Sequence, residues 1–456
     1  MIIEYPEGES HVFATKMNTM IAVMAACLLA TGCTGGSGRG ETAESERGPT
    51  EQTADPRKIE ETPTELTFTQ PGLSEELFNQ RYGDQLRKKF PNFKITYIST
   101  TAANFADTIA SIPTLDVMFA SASGMPQYLT GYRLENDISD LIKKYKYDVS
   151  KLQPVPIDVQ RTMSGGSLYG FPTHIGTLVF LYNKDLFDKF GIAYPKDGMT
   201  WDEIYELARR MTRSDGGIQY QGLSMAWEHV VGWNQLSALY FEPQTQKAQY
   251  TNDGVKRVFE NAARFWTIPG NEPPNRKYGL GAIRDWFLKD QTTAMYLDAD
   301  GLIRMTADAL KNWDLARYPV FSDNRDTGPA PNPTFGFITG KSRQRDAAFL
   351  ALAYLTSEQY QEWAAKTLGS LPSLRNAEPL IKNFGESIPN FAGKNVQALL
   401  FPKSAQMQQT SPYYNSVGVR EITTAINDYL AGKDANTVLR EASERADKKV
   451  AEEKAK

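Results

Sequence analysis

Polar and apolar positions alternate in two ways along the chain. Glu65-Leu-Thr-Phe-Thr69 and Lys94-Ile-Thr-Tyr-Ile98 repeat every second residue, which predicts strands. Asp116-Val-Met-Phe-Ala120 is a short apolar run ending in the small-residue loop Ser121-Ala-Ser-Gly124, and reads as a buried strand. Helical spacing separates them, from Ser74 (SEELFNQRYGDQLRKKF) and over Asn104–Ile112. This β-α-β-α-β order predicts an α/β fold with a parallel sheet. Ligands in such sheets sit beyond the carboxyl ends of strands, which puts the loops Gln70-Pro71-Gly72 and Ser121–Met125 at the ligand end.

The alternation continues. Leu168-Tyr-Gly-Phe-Pro172 leads into a strand over Gly176–Tyr182, and Asn183-Lys-Asp-Leu-Phe187 opens a helix. Thr200-Trp-Asp-Glu203 has the N-cap and acidic first turn of a helix through Thr212. Asp253–Trp266 is helical, Gln291–Leu297 and Phe335–Ile338 are strands, and Arg345–Thr356 and Ser357–Thr367 are helices. Arg420–Leu430 and Asp434–Glu453 end the chain as helices, the last with charges of alternating sign that suit a solvated face.

The amino terminus follows a different pattern. Met20–Ala30 (MIAVMAACLLA) is uncharged and apolar, preceded by Lys16, and too short to span a bilayer. It reads as the core of a secretory signal, with translation starting at Met1 or Met17. Ala30-Thr-Gly-Cys33 resembles a bacterial lipobox, in which cleavage precedes a cysteine that takes a lipid. In residues 34–65 the only large apolar residue is Ile59, too little for a core. That stretch predicts a disordered tether reaching about 30 Å.

At 456 residues the chain has room for about three domains, or two large ones. Fifty Lys+Arg against 54 Asp+Glu, with no basic run, argue against a nucleic-acid partner. A mean hydropathy of −0.45 excludes a polytopic membrane protein. The two cysteines, Cys27 and Cys33, fall in the leader, and the histidines are His11, His174 and His229. Thiol catalysis, a disulfide framework and cysteine zinc sites are therefore excluded from the body. Gly336–Ser342 is one residue short of a phosphate loop. Asp298-Ala-Asp300-Gly301 lacks the later glutamate of a calcium loop, so neither metal nor cofactor is expected. Carboxylates are plentiful, and no pair stands out as a glycosidase pair. Of seven tryptophans, Trp227 and Trp233 lie in weakly periodic sequence and are candidate ligand contacts. The other five read as core.

Leu168-Tyr-Gly-Phe-Pro172 with Leu181-Tyr-Asn-Lys-Asp-Leu-Phe187, Gly191-Ile, Pro195, Thr200-Trp-Asp-Glu203, Ala294-Met295, Gly336–Ala347 and Leu371-Pro372 carry a resemblance. Over residues 64–456 the chain resembles the extracellular solute-binding proteins of bacterial ABC importers, in the carbohydrate-binding group that includes maltodextrin-binding proteins. The resemblance implies a two-lobed periplasmic-binding-protein-like α/β fold. The hinge would be crossed three times, near Thr173–Gly176, Pro333–Gly336 and residue 390. The domains would be a signal peptide over 1–32, a lipidated Cys33 and tether over 33–63, a first lobe of 64–173 plus 336–390, and a second of 177–333 plus 391–456.

It also implies a ligand site: Gln70 and Pro71, Ser121 and Ser123, Thr173 and His174, Trp227 and Glu228, Asp298 and Asp300, then Tyr413 and Tyr414. His174 equally reads as hinge packing, Asp298 as a turn cap, and the two tyrosines as surface packing. Asp300-Gly301-Leu302 stands where the family carries Gly-Pro-Trp, so no aromatic platform is implied there. The expected protein is a non-enzymatic, monomeric receptor. It would capture a carbohydrate and deliver it to ABC permease subunits, with only the Cys33 lipid in the bilayer, at the extracellular face of the cytoplasmic membrane. Three rivals remain at this point: the same fold holding a peptide or polyamine, an extracellular glycan-active enzyme, and a surface adhesin or sensor without a transporter.

Overall fold

The computed structural model describes residues 55–273, 280–406 and 411–455. The predicted signal, Cys33 and most of the predicted tether lie outside the described residues. The chain lays down β1 (Thr64–Pro71), β2 (Phe93–Thr100), β3 (Val117–Ser121) and β4 (Gly170–His174). It continues with β5 (Leu178–Asn183), β6 (Arg213–Asp215), β7 (Ile218–Met225), β8 (Thr293–Ala299) and β9 (Trp313–Ala316). Finally β10 (Thr334–Ile338) returns to the first sheet. The two five-stranded sheets have the orders β2-β1-β3-β10-β4 and β6-β7-β8-β5-β9, one in each of two lobes, and Thr327–Gly328 pairs with Lys403–Ser404 in a short two-stranded ladder.

The strands β1, β2 and β3 are parallel, with Gln70 level with Ser99 and Phe68 with Val117. The predicted all-parallel sheet is nevertheless mixed. After a long excursion through the second lobe, β10 inserts antiparallel to both β3 and β4. Local alternation predicts a strand and carries no direction. The core under this sheet is aromatic: Tyr82 stacks on Phe119 (centroids 4.2 Å apart) and Phe78 on Tyr97 (4.4 Å).

Local signals account for several boundaries. Helix Trp201–Met211 begins in a full capping box, with Thr200 Oγ1 accepting from Glu203 N and Glu203 Oε2 from Thr200 N. Asp434 caps the final helix, Ala435–Lys454. The near-match to a phosphate loop has a structural use, since Lys341 Nζ donates to the carbonyls of Ile109 and Ile112 at the end of helix Phe105–Ser111.

Two boundaries are corrected. The predicted tether is not featureless to its end, because Pro56–Glu61 is helical behind the cap Asp55. Its one large apolar residue, Ile59, packs on the first-lobe core. The third passage between lobes falls near 369–376, not near 390. Ala377, Ile381, Phe384 and Ile388 already lie in the second-lobe core, where Phe391 meets Trp313. The first and second passages run side by side. Asn332 N donates to Gly176 O at 2.8 Å, and a Cβ on Gly176 would stand 2.5 Å from Asn332 O. Only glycine allows two hinge strands that close.

Candidate functional site

The carboxyl ends of β1 and β3 form the first wall of a cleft of about 340 Å³ between the lobes. Gln70 and Pro71 end β1, and Gln70 Oε1 is a buried acceptor without a partner. Ser121 ends β3 and caps the turn behind it, accepting from Gly124 N at 3.2 Å and lying 3.1 Å from Ser123 Oγ. Asn332 fixes this turn to the hinge. Its Oδ1 accepts from Ser123 N and its Nδ2 donates to Ser123 Oγ, both at 3.2 Å.

The second wall grows from the junction of β7 and β8. Ala226 N donates to Leu297 O and sets the phase of the helix Trp227–Gly232. Successive helical residues point about 100° apart, so neighbours face different surroundings. Trp227 turns inward, stacked on Trp266 (5.4 Å) and edge-on to Phe259, and is 2% exposed. Glu228, His229 and Trp233 line the cleft, with the Trp233 and His229 rings stacked at 5.1 Å and 26°.

Beneath His229 lies Asp298, fully buried. Its Oδ1 lies 2.7 Å from His229 Nδ1 and accepts from Ala299 N, and its Oδ2 accepts from Arg284 Nε at 2.7 Å. Burial pushes this carboxyl up, yet the hydrogen bonds from His229 and Arg284 outweigh it and hold it below the ordinary aspartate value. Asp298 is therefore a support for the wall.

Tyr414 completes the wall, stacked on Tyr240 at 5.3 Å. Burial, then the nearby Glu228 carboxylate, push its hydroxyl well above the ordinary tyrosine value, so it stays neutral. The next residue, Asn415, crosses the mouth, its Nδ2 donating to Gln127 Oε1 of the first lobe at 3.2 Å. Tyr414 fits because residue 232 is glycine. A Cβ there would stand 2.1 Å from the Tyr414 hydroxyl. Gly232→Ala is expected to force the buried Tyr414 ring off its stack on Tyr240. Ligand affinity should fall several-fold and the melting temperature should drop with it, as titration calorimetry and thermal melts would check.

The structure thus brings together Gln70, Pro71, Ser121, Ser123, Glu228, Trp233 and Tyr414. It removes Trp227 and Asp298 to the interior, because helix phase and the Arg284 ion pair claim them. Tyr413 does not line the cleft and lies beside Lys454. Thr173, His174 and Asp300 line a second cavity of about 220 Å³ at the hinge, with Arg81, Tyr82 and Tyr360. There His174 Nε2 lies 3.1 Å from Asp300 Oδ2, so hinge packing is the role the geometry gives it. Sequence reasoning missed His229 and Asn332. The first adjoined a flagged pair, while no pattern marks the second. Among the described residues no group of three or more His, Cys, Asp or Glu could hold a metal.

Comparisons with known proteins agree with this architecture. The sequence profile of the bacterial extracellular solute-binding proteins matches residues 71–362. The chain is 27% identical over 177 residues to the sn-glycerol-3-phosphate-binding periplasmic protein UgpB of Agrobacterium fabrum, covering 35% of this chain and 40% of that protein. It is 28% identical over 165 residues to the arabinooligosaccharide-binding protein of Bacillus subtilis, covering 34% and 36%. These alignments span about two fifths of the curated relatives. The fold is that of the ABC substrate-binding protein Lmo0181 from Listeria monocytogenes, solved in complex with cycloalternan. The TM-score is 0.66 at 17% identity, covering 85% of this chain and 99% of that one. With nearly two thirds of its length under the family profile, the chain belongs to the bacterial extracellular solute-binding proteins.

Proposed function

We propose that the chain is the receptor of an ABC importer and captures a neutral carbohydrate in the interlobe cleft. One observation carries the reading: the Trp233–His229 platform faces a wall of Ser, Gln and Asn side chains. A sugar has apolar C–H faces and a rim of hydroxyls, and such a cleft matches both. Closing the lobes on it would give the permease a liganded shape to recognise, driven by tighter binding to the closed state.

Two relatives' names point in different directions, to glycerol phosphate and to arabinooligosaccharide. The lining favours the second. Among the described residues no Lys or Arg lines the cleft, and Glu228 would repel a phosphate. Glu228 is also the only carboxylate among those lining residues, which supports a receptor rather than a glycosidase with two flanking carboxylates. It is equally the one feature that would suit a polyamine or a peptide amine.

The leader supports secretion, cleavage before Cys33 and lipidation of its thiol, which would hold a monomeric receptor at the extracellular face of the cytoplasmic membrane. No described helix is long and apolar enough to cross a membrane. Feeding cells a labelled fatty acid is expected to mark the chain and to leave Cys33→Ala unmarked. An unmarked unmodified chain, or equal labelling of the variant, would contradict lipidation at Cys33.

The direct test is a thermal-shift screen of the full chain against neutral mono- and oligosaccharides. The controls are sn-glycerol 3-phosphate, polyamines and peptides. A ligand at 100 times its Kd adds about 2.7 kcal/mol. A shift with a sugar class and no product on long incubation supports the reading. Shifts confined to the controls, or sugar turnover, overturn it.

A further inference from the structure

His229 has two ring nitrogens with different surroundings. Nδ1 lies 2.7 Å from Asp298 Oδ1. That carboxylate is also held by Arg284, through Nε at 2.7 Å and Nη2 at 3.2 Å, and by the Ala299 amide at 2.7 Å. A buried aspartate facing a guanidinium is ionised and can only accept, so the hydrogen between it and His229 sits on Nδ1. The other nitrogen, Nε2, makes no hydrogen bond among the described residues. In the neutral ring it is a lone-pair acceptor. The imidazole is a quarter exposed and lines the cleft beside Glu228, another acceptor.

We propose that Asp298 and Arg284 lock His229 as an acceptor, making it a specificity-determining residue. With Glu228 it would bind two hydroxyl donors of a neutral ligand and reject an anionic group at that end of the cleft. The assignment of the ligand rests on the carbohydrate reading above. The tautomer does not. The logic is that of a buried carboxylate orienting a histidine through its far nitrogen. Sugar hydroxyls can donate to both acceptors at once. A phosphate or carboxylate has no donor to offer, and two acceptors would face its oxygens.

The test is a two-bond 1H–15N spectrum of the full chain labelled at histidine. The chain has three imidazoles, and loss of a signal in His229→Gln identifies the one in question. The expected result without ligand is an Nδ1–H ring at His229. In Asp298→Ala no acceptor remains at Nδ1, so the ring should shift toward Nε2–H. An Nε2–H or doubly protonated ring in the unmodified protein, or an unchanged tautomer in Asp298→Ala, overturns the lock. Calorimetry supplies the ligand arm, with sn-glycerol 3-phosphate as probe. No saturable binding at millimolar concentration is expected, and binding there overturns the acceptor pair as a filter. A sugar screen that stays silent while His229 is Nδ1–H would sink the carbohydrate reading alone.

Discussion

Asp298→Ala should destabilise the chain by about 3–5 kcal/mol, the cost of removing one partner from a buried ion pair. The carboxylate is fully buried and receives the Arg284 guanidinium, the His229 ring and a backbone amide. Truncation leaves a guanidinium only a quarter exposed, and two further donors, around an empty space. Urea unfolding of the variant, followed by tryptophan fluorescence, measures the loss. A change under 1 kcal/mol would mean that Arg284 and His229 find solvent without cost. Asp300→Ala is the useful comparison, since Asp300 holds only His174 and the Thr177 amide. The same carboxylate gives the acid limb its sign. Its native pKa is lowered, so its contribution is complete above the unfolded value of about 3.9. That contribution disappears as pH falls through the lower native value. Asp298→Asn should therefore flatten stability against pH below about pH 4.

Trp233→Ala should weaken ligand binding about thirty-fold, equivalent to roughly 2 kcal/mol for a central aromatic contact. The ring is partly exposed in the cleft and stacks on His229, so its removal takes away the apolar face and frees the imidazole it covers. Stability should change little, because Trp233 packs only against the edge of the second-lobe core. Trp227→Phe is the control. It lies behind the same helix against Trp266 and Phe259, and should lower the melting temperature without a comparable loss of affinity.

The contrast between these two tryptophans marks how far the sequence could be read. Strand ends were legible: the period-two run stopping at Gln70-Pro71 and the short apolar run stopping at Ser121 put those residues at the mouth of the sheet, and both line the cleft. Helix starts with a side-chain cap were legible too, as at Thr200 and Asp434. What failed was anything set at a distance. Which of Trp227, Glu228 and His229 faces the cleft depends on the bond from Ala226 to Leu297, across an interval of about seventy residues. Asp298 stood among the site residues that the family resemblance implied, and Arg284 takes it into the interior. The antiparallel entry of β10 and the early third hinge passage are likewise tertiary choices. The strand β7 escaped notice because its Ile218-Gln-Tyr-Gln start resembles a polar loop.

The cleft as the carbohydrate site is tested most directly by titration calorimetry with the sugar that gives the largest thermal shift, on the unmodified chain and on Trp233→Ala. One sugar per chain, bound about thirty-fold more weakly by the variant, is the expected result. Equal affinity in the two proteins would place the sugar elsewhere and contradict the assignment of this cleft.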